Sequence, residues 1–141
     1  MSRVYWDSML FIYLLEAHPI FGPGVRKLLQ YTVNRNDTLS TSVFTVGEVL
    51  TGPRRRGSTS GTAAVERYFQ GGAVEVLPFT HATAARYSVI RSAHRVSQAD
   101  AIHLATAAEA GIDLFLTNDA QLRKLIIPGI KFFADLDGKI I

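Results

Sequence analysis

Apolar positions fall into two spacings along the chain. Short runs rich in β-branched and aromatic residues, RVYW (3–6), TLSTS (38–42), AVEVLPF (73–79), DLFLT (113–117) and KFF (131–133), have polar or Gly/Pro boundaries and predict strands. Between them, Leu10, Phe11, Leu14 and Leu15 recur at helical spacing before Pro19, as do Val25, Leu28, Leu29 and Val33 after Gly22-Pro23-Gly24. Ser42 is placed to cap a helix ending at Gly52-Pro53, and Ser97 one ending at Gly111. Further helices are expected over about 61–70, 81–95 and 119–126, while TGPRRRGSTSG (51–61) reads as a long loop inserted within a domain. Strands alternating with helices predict an α/β fold: a three-layer α/β/α sandwich around a mainly parallel sheet of about five strands. With no fixed-period repeat, the 141 residues suit one domain spanning 1–141.

In such sheets ligands bind beyond the carboxyl ends of the strands. Asp7 follows RVYW and Asp119 follows DLFLTN, so both acids belong to that edge. Each can equally cap a helix, where Asp satisfies free N–H groups and the helix dipole. Asp100 stands three residues after Ser97, as in a capping pair, yet shares its helix stripe with Leu104 and Ala107. Glu48 is enclosed by Phe44, Val46, Val49 and Leu50, although a lone helical Glu is usually solvated. Taken together the four raise one question. Carboxylates held together repel and are costly to bury unless a cation compensates.

Composition narrows which cation and which chemistry. The chain has no Cys and only four His, so an all-oxygen site for Mg²⁺ or Mn²⁺ suits it better than a Zn²⁺ site. Such an ion can clamp a phosphodiester and activate water, which points to metal-dependent phosphodiester hydrolysis. No apolar run approaches the roughly 20 residues needed to cross a bilayer, so no membrane is expected and a cytoplasmic setting is the default.

These residues resemble a PIN domain, and are most similar to the VapC-type ribonuclease toxins of bacterial and archaeal toxin–antitoxin pairs. The specific part is ADAIHLATAAEAGIDLFLTND (99–119), joined by the early strand ending in Asp7-Ser8, by Glu48 after the second strand and by a short closing strand. The resemblance implies that Asp7, Glu48, Asp100 and Asp119 are the catalytic, metal-binding acids, with Ser8, Thr117 and Asn118 as supporting polar groups. Some relatives carry a further acid where this chain has Asn118, which leaves open whether one metal or two bind. It also implies an Mg²⁺-dependent endoribonuclease (or Mn²⁺), a cognate VapB-like antitoxin laid over the acidic groove, and a homodimer. Phe11, Leu14 and Leu15 can serve either the core or a dimer face. The expected substrate is single-stranded or loop RNA within a structured molecule.

The net charge of +3 and pI near 9.4 permit nucleic-acid contact without demanding it. Setting four of the 12 acids aside leaves a clear cationic excess among the 15 Lys and Arg. Arg54, Arg55 and Arg56 on the 51–61 loop are the best candidates for flexible phosphate contacts, against a plainly solvated charge run. Arg91 and Arg95 form an i, i+4 pair that can line the same groove; Arg26, Lys27, Arg123 and Lys124 read as ordinary solvated charges. His103, three residues after Asp100, can bond to it or serve simply as a core histidine.

Other classes fit less well. A dehalogenase-like phosphotransferase needs a second Asp where Met9 stands, a receiver domain needs a phosphoacceptor Asp and late Lys that are not evident, and no G-x-S-x-G, P-loop or G-x-G-x-x-G occurs. Two readings remain beside the toxin: a non-catalytic PIN-fold module binding RNA or protein, and a housekeeping RNA-processing nuclease. The chain's size and the absence of an appended RNA-binding domain favour the toxin over the latter.

Overall fold

The computed structural model describes residues 1–137 as strands and helices in alternation. Strand β1 (Arg3–Trp6) leads into α1 (Ser8–Leu15) and α2 (Gly22–Asn34), and β2 (Thr38–Ser42) into α3 (Val43–Arg55) and α4 (Thr59–Gln70). After β3 (Glu75–Leu77) come α5 (His81–Ala93), α6 (Gln98–Ala110), β4 (Ile112–Leu116), a 3₁₀ turn (Leu122–Lys124) and β5 (Ile130–Ala134). Local chemistry explains the starts. Ser42, Ser58 and Ser97 accept the N–H groups of Phe44, Gly61 and Asp100, and Thr80 and Thr83 form a reciprocal box at the start of α5. At its far end α6 stops on Gly111, whose φ of 71° lies in the left-handed region.

All strand pairings are parallel, in the order β3-β2-β1-β4-β5. In the register Val4 lies opposite Leu39 on one side and Leu114 on the other. One face buries Val4, Trp6 and Leu116 against Leu10, Phe11, Val25, Val49 and Phe69 of α1 to α4. The other buries Tyr5, Phe115 and Phe133 against Ile90, Leu104, Ala105 and Ala108 of α5 and α6. The result is the expected three layers. Phe11 is fully buried, and Leu14 and Leu15 pack on the same cluster, so these side chains serve the core.

Chain order reverses direction across the sheet between β1 and β4: connections from β1 run outward through β2 to β3, then return past β1 to β4 and β5. Reversal opens a crevice at the carboxyl ends of those two strands. Asp7 is the first residue after β1, and Thr117 to Asp119 follow β4.

Four local expectations are corrected. The 51–61 segment is no long loop, because α3 continues through Gly52 and Pro53 to Arg55 and α4 begins at Thr59. Pro53 deprives Val49 of one helical bond near the helix end, but its buried ring sits in the α3/α4 seam with Gly61 and Val65, which offsets that loss. Second, no α-helix spans 119–126: Asp119 Oδ1 accepts the Gln121 N–H at 2.8 Å, and this local turn competes with a helix start, leaving one 3₁₀ turn. Third, β3 covers only Glu75–Leu77 of the expected 73–79. Fourth, α5 ends at Ala93 with an extended His94, so Arg95 lies beyond the helix and is not an i, i+4 partner of Arg91. Among the described residues no helix is long and apolar enough to cross a membrane.

Candidate active site

Asp7 is the most enclosed of the four predicted acids, with 9% exposure. Its Oδ2 accepts a 2.7 Å hydrogen bond from the Thr117 hydroxyl, which in turn accepts the Asp119 N–H at 3.1 Å. One threonine therefore fixes both strand-end acids across the β1/β4 crevice. Oδ1 of Asp7 is buried and makes no hydrogen bond of ordinary geometry, while the Leu10 N–H of α1 lies near enough to the carboxylate to favour its charged form. Burial pushes the Asp7 carboxyl above its ordinary pKa, against the opposing Thr117 bond.

Glu48 enters from α3 and Asp100 from the first turn of α6, both half-buried. Asp100 is also raised, first by burial and then by the negative charges of Asp119 and Glu48. Glu48 behaves oppositely. Burial would raise it, but hydrogen bonds from His103 and Ser8 outweigh that and hold it below the usual range. Asp7 and Asp100 also act on each other, so the structure brings the four acids into one electrostatic neighbourhood. Asp119 stands at its exposed rim.

Of the supporting groups, Ser8 bonds Glu48 Oε1 and Thr117 anchors Asp7, whereas the exposed Asn118 holds none of the acids. The Ser97 hydroxyl caps α6 on the Asp100 N–H at 3.1 Å and also favours the charged form of the Asp100 carboxyl, so capping and a place among the acids hold together. His103 is buried and bonds Glu48 Oε1 at 3.1 Å; it does not turn to Asp100. An i, i+3 spacing drew attention to Asp100, while the real partner is 55 residues away and carries no local signal.

The arginines divide. Arg54 pairs with Glu66 at 3.8 Å and Arg56 with Glu16 at 2.9 Å, and the triplet ends a helix instead of riding a flexible loop. Arg55 is exposed and lies seven residues after Glu48, two turns along the same helix face. Arg91 donates to the Tyr87 hydroxyl at 3.1 Å and lies over that ring, and Arg95 is exposed beyond α5. Arg123 is no ordinary solvated charge. Its Nη1 donates at 3.0 Å to the carbonyl of Thr117, the residue whose hydroxyl anchors Asp7, and its Nε is buried without an acceptor.

Among the described residues no three His, Asp or Glu side chains form a ready-made metal cage. The set nevertheless fits a hard cation held openly: its donors are carboxylate oxygens, and the unpartnered Oδ1 of Asp7 is a buried acceptor lacking a donor. Mg²⁺ in particular is commonly held by one or two carboxylates, with waters and substrate phosphate completing the shell.

Comparison with known proteins bears on the family and the fold. A family model described as PIN domain matches residues 4–127. Similar solved structures include VapBC2 from Rickettsia felis bound to a DNA fragment from its promoter, 14% identical over 94% of this chain and 98% of that one, with a TM-score of 0.75. Another is VapC20 from Mycobacterium tuberculosis, a sarcin-ricin loop cleaving toxin, 18% identical over 87% and 96% of the two chains, TM-score 0.70. A toxin–antitoxin complex from Klebsiella pneumoniae is 18% identical over 90% and 94%, TM-score 0.69. At these identities the likeness is one of fold. No curated protein matches the chain.

Proposed function

The chain belongs to the PIN domain family, and on that premise we propose that it is a divalent-metal-dependent endoribonuclease, the toxin of a toxin–antitoxin pair. One observation carries the chemistry: the buried, unpartnered Oδ1 of Asp7 stands at the crevice where Asp100, Glu48 and Asp119 add further negative charge. Mg²⁺ or Mn²⁺ bound there would polarise the scissile phosphate and lower the pKa of an attacking water. Asp7, Glu48, Asp100 and Asp119 hold the ion in this reading, with Asp7 fixed by Thr117 and Glu48 by Ser8 and His103. Exposed Arg55 is the best placed of the predicted arginines to meet an RNA backbone. No side chain becomes covalently attached to the substrate.

The toxin assignment is supported by the solved structures of similar fold, among them toxin–antitoxin complexes and an RNA-cleaving toxin. It brings a VapB-like antitoxin as partner, whose basic side chains would neutralise the open carboxylates, and a homodimer as the working assembly. The test is to cleave a structured RNA in ¹⁸O-labelled water with Mg²⁺ and analyse the new termini. Label in a linear terminal phosphate is expected; a 2′,3′-cyclic phosphate would show that the neighbouring hydroxyl, not water, attacks.

A further inference from the structure

His103 makes three polar contacts, and all of its ring nitrogens are used. Nδ1 lies 2.7 Å from the Tyr5 hydroxyl; Nε2 lies 3.1 Å from Glu48 Oε1 and 3.1 Å from Ser8 Oγ. A carboxylate only accepts hydrogen bonds, so the proton facing Glu48 sits on Nε2, and in the neutral ring Nδ1 accepts from Tyr5. Aromatic edges fix the plane of the ring: Tyr5 at 5.9 Å and 69°, Phe44 at 5.6 Å and 66°. Tyr5 is fully buried on β1, Ser8 opens α1, Phe44 and Glu48 belong to α3, and His103 shares α6 with Asp100. One imidazole thus ties together the elements that deliver three of the acids.

Both donors to Glu48, Ser8 and His103, converge on a single oxygen, Oε1. Among the described residues no hydrogen bond reaches the second oxygen, Oε2, much as Thr117 holds Oδ2 of Asp7 and no bond of ordinary geometry reaches Oδ1. Outer groups that fasten one oxygen of a carboxylate orient the other toward a cation. A histidine present only to fill the core would need neither the carboxylate nor the directional Tyr5 contact.

We infer that Tyr5 and His103 form a positioning pair which, with Ser8, locks Glu48 by Oε1 and presents Oε2 for divalent-metal binding. The inference rests on the metal-dependent reading above.

The experiment measures Mn²⁺ affinity of the purified full chain by electron paramagnetic resonance, for wild type, His103→Leu, His103→Gln, Tyr5→Phe and Glu48→Gln, each checked for folding by circular dichroism. His103→Leu is expected to weaken Mn²⁺ binding by about 10–100-fold, the usual effect of losing such an outer partner. Tyr5→Phe should weaken it in the same direction and by less, and His103→Gln, whose amide N–H can reach Oε1, should recover part of the loss. Unchanged affinity in folded His103→Leu overturns the inference alone. Where that variant does not fold, unchanged affinity in Tyr5→Phe overturns it equally. Absence of Mn²⁺ binding by wild type overturns the metal-dependent reading as well.

Discussion

Thr117 donates to Oδ2 of Asp7 at 2.7 Å and leaves Oδ1, the other oxygen of the same carboxylate, buried with no hydrogen bond. A buried acceptor without a donor is unusual in a folded chain and calls for an explanation by strain, an ion or function. Its place at the β1/β4 reversal, with Asp100 near enough to raise the pKa of Asp7 and Asp119 and Glu48 acting in turn on Asp100, favours the ion.

Replacing Thr117 by Val keeps the shape but removes the hydroxyl that serves both Asp7 and the Asp119 N–H. Leaving Asp7 Oδ2 buried and unpaired should cost about 1–3 kcal/mol in urea unfolding. Metal affinity should fall about 10–100-fold, since the carboxylate is no longer oriented. A variant of wild-type stability and affinity would contradict the anchoring role.

The raised pKa of Asp7 sets a pH dependence with a definite sign. A carboxyl that holds its proton more tightly when folded stabilises the fold as pH falls through the raised value toward the unfolded one, and destabilises it above. Asp7→Asn should therefore be more stable than wild type at neutral pH, without added metal. A gain of about 1 kcal/mol corresponds to about 3–5 °C in melting temperature for a chain of this size. The advantage should shrink as pH is lowered toward the ordinary carboxylate range, and Mn²⁺ should raise the melting temperature of wild type only. Thermal melts at several pH values read both effects.

Arg55 and Arg54 are neighbours with different fates, one exposed on the Glu48 face and the other paired with Glu66. Arg55→Gln should weaken RNA binding and reduce the slope of log K against log salt by about one phosphate contact. Arg54→Gln should leave the slope nearly unchanged. Filter binding of an uncleavable RNA across a salt series distinguishes them; equal effects would move the contact elsewhere.

Gly129 carries a φ of 102°, and a Cβ there would lie 2.5 Å from the Ala108 carbonyl oxygen of α6. Neither the backbone angle nor that approach tolerates a side chain. Gly129→Ala should destabilise the fold by about 2–4 kcal/mol in urea unfolding. A neutral result would mean that the turn before β5 can yield without disturbing the helix that carries Asp100 and His103.

What the sequence revealed was periodic or local. Alternating apolar spacings marked β1, β2 and β4 and most helices, because burial on the sheet faces dictates them. Asp7 and Asp119 stood out as acids just past apolar strands, where the structure places them. Features decided by distant packing were hidden. Pro53 reads locally as a helix end, yet the α3/α4 seam carries the helix past it. Asp119 looked like a helix start, but its side chain closes a turn instead. His103 and Arg123 gave no local sign of their partners, Glu48 and the Thr117 carbonyl, since only the fold brings those groups together.

The central claim is that the four acids would hold a divalent metal and that this chain hydrolyses RNA at that edge, and cleavage of a pool of structured RNAs by wild type and Asp100→Asn, each with Mg²⁺, Mn²⁺ and EDTA, tests it most directly. Asn matches Asp in shape and keeps the backbone N–H that Ser97 caps, so the Asn variant should keep the fold. Metal-dependent cleavage by wild type, abolished by EDTA and reduced at least about 100-fold in Asp100→Asn, is the predicted result for losing a metal-binding carboxylate. Equal activity in the two folded proteins, cleavage that survives EDTA, or no cleavage of any RNA would contradict it and favour a non-catalytic binding module.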